Sequence, residues 1–217
     1  MSTPWRVMKF GGTSVADAAR LRGVADLAAE ARAGARVCLV ASAAAGITDL
    51  LVRAAKSAEG GGDPGPDVAA FRERHRAILA DLAGELEAGG ATRAEAGLQA
   101  LGDEFAKLAA GVGLLLECPP SVRAHLASLG ERATALLLGE LLRGRGLDPR
   151  ALDPRAYLRA TGDPLQAEPD LEATAAAPHP EYAPDYWATY FSDPDGIRLE
   201  VTNYRQERRD RHDRWEN

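Results

Sequence analysis

The eight residues Met8-Lys9-Phe10-Gly11-Gly12-Thr13-Ser14-Val15 constrain this chain most. The apolar run Arg6-Val7-Met8 before them reads as a strand with Lys9 as its last residue. Ala16 to Ala33 follows, with Leu21, Val24, Leu27 and Ala28 at helical spacing. The glycine pair is therefore expected in a strand-to-helix turn. Such a turn aims backbone N–H groups and the positive end of a helix dipole at whatever lies above it. Two glycines let an anion approach the backbone, Thr13 and Ser14 add hydroxyl donors, and Lys9 adds a full positive charge. That inventory suits a phosphate or a carboxylate. The same residues also fit a plain tight turn with a solvated lysine, because glycine turns after strands are common. The stretch is neither a Walker loop nor a G-x-G-x-x-G dinucleotide fingerprint.

Arg36 to Ala41 is a continuous apolar run, as expected for a buried parallel strand. Its exit, Ser42-Ala43-Ala44-Ala45-Gly46-Ile47-Thr48, is made of small residues around a glycine. A helix is expected to start with Thr48 as its N-cap and run toward Ser57. Ligands of such sheets bind at the carboxyl ends of the strands. The two strand ends thus deliver Lys9, Gly11, Gly12, Ser42 and Thr48 to one crevice, although capping alone also accounts for Ser42 and Thr48.

The heptapeptide Lys9 to Val15, KFGGTSV, resembles the N-terminal signature of the aspartate kinases, in the amino-acid kinase superfamily. Ala41 to Leu50 resembles the second motif of that family, whose matching positions line the aspartate pocket. The resemblance implies a three-layer αβα domain with parallel strands. It also implies phosphoryl transfer from ATP to the β-carboxylate of L-aspartate, the first step of lysine, threonine and methionine biosynthesis. In that scheme Lys9 stabilises the transferring phosphoryl group, and Gly11, Gly12, Thr13 and Ser14 bind phosphate. Mg²⁺ enters with ATP.

Composition narrows the classes further. The 217 residues suffice for one sizeable core or two small ones. A net charge of -6 argues against a dedicated nucleic-acid binder. No apolar run reaches the length of a membrane span, and no secretory signal is evident, so a cytoplasmic protein is expected. The two cysteines, Cys38 and Cys118, make no disulfide framework. Lysine occurs only at positions 9, 56 and 107, which makes Lys9 more notable.

Gly60 to Pro66 reads as a flexible connection, followed by helices over about Asp67–Ala88 and Thr92–Leu115 that form a hairpin over the sheet. His75, among Arg72, Glu73 and Arg74, reads as a solvated helix residue. After Cys118-Pro119-Pro120, Ser121 is expected to cap a short helix. Ser128-Leu129-Gly130-Glu131-Arg132 is expected to interrupt it before a second helix to Arg145. Glu131 would then stand near a helix N-terminus, where the dipole stabilises a carboxylate. This segment resembles the Gly-Glu motif of the family, whose glutamate helps hold aspartate, so Glu131 is expected to pair with the substrate ammonium. Leu147 to Asp153 reads as a third strand and Tyr157 to Glu168 as irregular strand and loop. Arg159-Ala160-Thr161 and Ala167 to Asp170 continue the family pattern, so the resemblance covers about residues 6–177.

From Pro178 the composition changes. Tyr182, Tyr186, Trp187, Tyr190, Phe191, Tyr204 and Trp215 crowd the end of the chain. Asp185 to Ser192 and Ile197 to Asn203 alternate like strands around the turn Asp193-Pro194-Asp195-Gly196. Tyr190 to Glu200 resembles the last hairpin of a vicinal-oxygen-chelate (glyoxalase/bleomycin-resistance) domain. In that superfamily the final-strand glutamate, here Glu200, is often a metal ligand. A solvent-facing strand acid is the plainer reading of Glu200, since a metal needs several convergent ligands. The chain thus reads as a chimera: a partial aspartate-kinase domain over residues 1–177 and an oxygen-chelate-like hairpin with a charged tail over 178–217. An incomplete, inactive kinase is expected, with a metal enzyme fragment of the oxygen-chelate class or a non-catalytic remnant as the alternatives. An open sheet edge would favour self-association.

Overall fold

The computed structural model describes residues 4–156 together with the strand residues 160–161, 168–169, 188–192 and 198–202. The chain divides into two units, Met1–Ala151 and Leu152–Asn217. The first begins with β1 (Trp5–Phe10), then a 3-10 turn over Gly12–Val15 and α1 (Ala18–Arg32). β2 (Arg36–Ala41) and α2 (Ile47–Glu59) complete a βαβα start. Three long helices follow: α3 (Gly65–Leu82), α4 (Gly90–Leu115) and α5 (Pro120–Gly144).

β1 and β2 pair in parallel, from Trp5 opposite Arg36 to Phe10 opposite Ala41. The Arg36 guanidinium lies 4.4 Å over the Trp5 ring and fastens the start of the pair. Because the register ends at Phe10 and Ala41, Gly11 and Ser42 leave the sheet side by side. β1 extends one residue past Lys9, so Lys9 is its penultimate residue.

The helices bury apolar stripes. In α1 these are Leu21, Val24, Ala25, Ala28 and Ala31; in α2 they are Ile47, Leu50, Leu51, Ala54, Ala55 and Ala58. Phe71 of α3 and Phe105 of α4 are fully buried and meet edge to face at 5.5 Å. Burying a side chain of this size stabilises by roughly 1.5–3 kcal/mol. Glu140 of α5 is 3% exposed and accepts from Arg93 Nη2 at 2.7 Å and Arg143 Nη1 at 2.7 Å, tying α4 to α5.

Four further expectations are corrected. α2 starts one residue before Thr48; its N-cap is Gly46 at φ 82, and Thr48 lies in the first turn. α5 is one continuous helix, so Gly130 does not break it and Glu131 lies mid-helix, roughly 16 Å from its start. His75 is 1% exposed, not solvated, because it falls on the stripe of Phe71, Ile78 and Leu82 despite its charged neighbours in sequence. Residues 147–153 form no strand; Pro149 lacks the N–H that a ladder needs, and Pro154 opens a 3-10 turn.

In the second unit, β3 (Ala160–Thr161) pairs antiparallel with β4 (Glu168–Pro169). β5 (Ala188–Ser192) pairs antiparallel with β6 (Arg198–Thr202), Tyr190 opposite Glu200. The expected turn at residues 193–196 and the boundary near 177 lie outside the described residues.

Candidate functional site

Two loops leave the carboxyl ends of β1 and β2 and are stitched together. Ser42 N–H donates to Phe10 O at 3.0 Å, and Ala45 N–H donates to Gly12 O at 3.1 Å. Within the first loop Ser14 N–H donates to Gly11 O at 2.9 Å. Val15 is completely buried beneath it, while Lys9, Gly11, Thr13 and Ser14 are exposed.

The two glycines do different things. A Cβ on Gly12 would stand 2.8 Å from Ala43 O, so only glycine lets the loops approach this closely. A Cβ on Gly11 would meet nothing within 4 Å. The missing Cβ of Gly12 therefore serves packing, and at Gly11 a bulky group can come down on the backbone.

The third component is α5. A Cβ on Gly130 would lie 2.6 Å from Ala43 Cβ and 2.9 Å from Ile47 Cγ2. The helix is thus pressed directly onto the exit of β2, one residue before Glu131. Glu131 is half-buried and its Oε2 is shielded from solvent. Around this turn the polar groups are fixed. Thr134 Oγ1 donates to Gly130 O at 3.2 Å, and Ser128 Oγ donates to His125 O at 2.7 Å. Glu104 of α4 accepts from Arg132 Nη1 at 2.8 Å and meets His125 Nε2 at 2.6 Å. Arg132, and after it His125, hold the Glu104 carboxyl below its ordinary pKa against an opposing effect of burial.

Of the sequence-predicted residues, the structure brings the Gly11–Ser14 loop, the Ser42–Thr48 segment and the Gly130–Glu131 turn together around Ala43. Thr48 is exposed on the first turn of α2, and Ser42 is half-buried at the mouth of the junction. Lys9 is carried by β1 opposite Val40, next to the loop. The sequence reading did not single out Ala43, yet it is the point where all three segments touch. Its only signal was a run of small residues. Glu200 lies on β6, and its side chain falls outside the described residues. Among the described residues no group of three or more His, Cys, Asp or Glu side chains is placed to hold a metal. No described helix is long and apolar enough to cross a membrane.

Known proteins resemble this chain in sequence and in fold. The amino acid kinase family profile matches residues 4–180. The lysine-sensitive aspartokinase 3 of Escherichia coli K12 is 35% identical over 174 residues, covering 78% of this chain and 35% of that protein. The structure of E. coli aspartokinase III in complex with aspartate and ADP superposes with a TM-score of 0.68 at 30% identity, covering 90% of this chain and 43% of the other. The form of the same enzyme with lysine and aspartate gives 0.69 at 29% identity, with 92% and 44% covered. The chain therefore spans less than half the length of these relatives. Its parallel strand pair, glycine loop and match over residues 4–180 place it in the amino acid kinase family.

Proposed function

We propose that this chain carries the aspartate- and phosphoryl-facing part of an aspartate kinase, which phosphorylates the β-carboxylate of L-aspartate in the cytoplasm at the head of lysine, threonine and methionine biosynthesis. The observation that supports this most is the junction at Ala43, where Gly12 and Gly130 both reach van der Waals limits. It sets a glycine loop, a small-residue strand exit and a shielded carboxylate side by side.

The residues suit the phosphate side of a nucleotide. Gly11 is open to approach, and Lys9 is exposed at the strand end beside it. ATP, accompanied by Mg²⁺, supplies the phosphoryl group. Lys9 offsets the charge that builds on that group, while Gly11, Gly12, Thr13 and Ser14 bind phosphate. Glu131 pairs with the ammonium of aspartate, and Ser42 and Thr48 line its pocket. A shielded carboxylate suits an ammonium partner because a charge-assisted pair strengthens away from water. The chemistry is chiefly positioning and charge neutralisation.

Aspartate titration of the full chain by calorimetry tests the reading. Glu131→Gln and Thr48→Val should each weaken binding about tenfold or more, as expected when one partner of a charged or polar contact is lost. Absence of aspartate binding by the unaltered chain would overturn it.

For residues 178–217 the reading is a hairpin of oxygen-chelate descent joined to the kinase portion of residues 1–177 as a chimera. The antiparallel pairing of Ala188–Ser192 with Arg198–Thr202 is in keeping with it. The sheet edges of the kinase portion are proposed to promote self-association.

A further inference from the structure

We propose that Arg74 of α3 is a positioning residue for the glycine loop, a role that rests on the reading of that loop as the phosphate site. The loop is held from behind at two carbonyls. Gly12 O accepts from Ala45 N–H, within the β-strand exits themselves. Ala16 O, at the far end of the loop, accepts from Arg74 Nη2 at 3.0 Å, across 58 residues of chain. Between these anchors lie Thr13, Ser14 and the buried Val15.

The charge pattern beside Ala16 strengthens the contact. Asp17 caps α1 by accepting from Arg20 N–H at 2.9 Å, and Arg74 joins Arg20 in holding the Asp17 carboxyl below its ordinary pKa. Arg74 thus donates to a carbonyl, and its charge favours a nearby carboxylate, at the point where the loop becomes helix.

The consequence is a mechanical link. α3 packs on α4 through Phe71 and Phe105, and His75, the next residue, is buried against Phe71. Arg74 therefore projects from a rigid turn. It fixes the end of a loop whose Gly11 stands open to approach. A loop clamped at Gly12 O and Ala16 O keeps its exposed residues Gly11, Thr13 and Ser14 in one arrangement before an anion arrives, which is the condition for tight anion binding.

Amide hydrogen exchange on the full chain tests the link without any need for turnover. In Arg74→Ala the amides of Ser14 and Ala45 should exchange about tenfold faster or more, the effect of losing one charge-assisted hydrogen bond on a local opening. Amides of α4 and α5 should be unchanged, and Arg74→Lys should restore part of the protection. Unchanged Ser14 and Ala45 exchange in Arg74→Ala would overturn the proposal, as would a uniform rise over α4 and α5. Calorimetric titration with ADP runs alongside. Binding by the unaltered chain that weakens in Arg74→Ala and recovers in Arg74→Lys supports positioning, and binding indifferent to Arg74 overturns it. If the unaltered chain does not bind ADP, the phosphate reading fails, while the exchange result still decides whether Arg74 clamps the loop.

Discussion

Gly130 of α5 and Ala43 of the β2 exit are in such close contact that no side chain fits between them: a Cβ on Gly130 would lie 2.6 Å from Ala43 Cβ. Glycine inside a helix ordinarily costs about 1 kcal/mol relative to alanine. Here that cost is outweighed by the approach it permits, since overpacking costs about 1–3 kcal/mol. Gly130→Ala should therefore lower the melting temperature despite its better helix propensity. Gly139→Ala on the same helix, where a Cβ meets only Arg143 Nη1 at 3.9 Å, should raise it by the equivalent of about 0.5–1 kcal/mol. Aspartate affinity should fall in Gly130→Ala and hold in Gly139→Ala. Equal melting shifts of one sign would show that the close contact is not what sets the effect.

No ATP-dependent aspartyl phosphate is expected from the purified chain. The two strand exits, residues 9–17 and 41–48, carry Lys9 as their one cation. With the accompanying Mg²⁺ alone beside it, a single ammonium leaves part of the charge on a triphosphate in transfer unbalanced. Hydroxamate trapping of the acyl phosphate is a direct assay. Turnover that vanishes in Lys9→Ala would show a complete kinase instead.

Acid should weaken the fold through His75. Burial pushes its pKa below the ordinary 6.5, with Arg74 acting the same way and the Phe71 carbonyl opposing. Because Phe71 O can only accept, Nδ1–H donates to it at 2.8 Å. The unfolded chain binds the additional proton, so stability from this residue is complete above about pH 6.5 and declines as the pH falls below it. Melting temperature measured from about pH 7.5 to pH 5 should fall more steeply for the unaltered chain than for His75→Leu. Parallel curves would remove His75 as the cause.

Self-association should be visible as a concentration-dependent mass in light scattering. Among the described residues, β1 and β2 pair only with each other, so each has an edge. Paired strands with open edges are templates for further pairing. A constant monomer mass across about a hundredfold range of concentration would exclude it.

Zinc, nickel or manganese should not bind the tail stoichiometrically. Glu200 is a single oxygen ligand on one strand, opposite Tyr190 in the register. Metal sites need three or four convergent donors. Binding abolished by Glu200→Gln would restore a metal role.

Local rules make much of the molecule legible in its sequence. The glycine pair after an apolar strand, the continuous run Arg36 to Ala41 and the long helical stripes depend on a residue and its near neighbours, and they appear where the sequence puts them. The strand ends also set where Lys9, Gly11 and Ser42 emerge, although Lys9 is penultimate in β1 and Thr48 lies in the first turn of α2 instead of capping it. Tertiary contact decided the rest. Gly130 looks like a helix breaker in sequence, but a continuous α5 buries it against Ala43. His75 looks solvated among arginines, but the helical period turns it onto Phe71. Arg74 is an unremarkable surface cation until α3 is laid beside Ala16 O. In each case a partner more than fifty residues away in sequence, or a full helical turn along it, supplies the deciding energy, and short-range propensity carries no record of that partner.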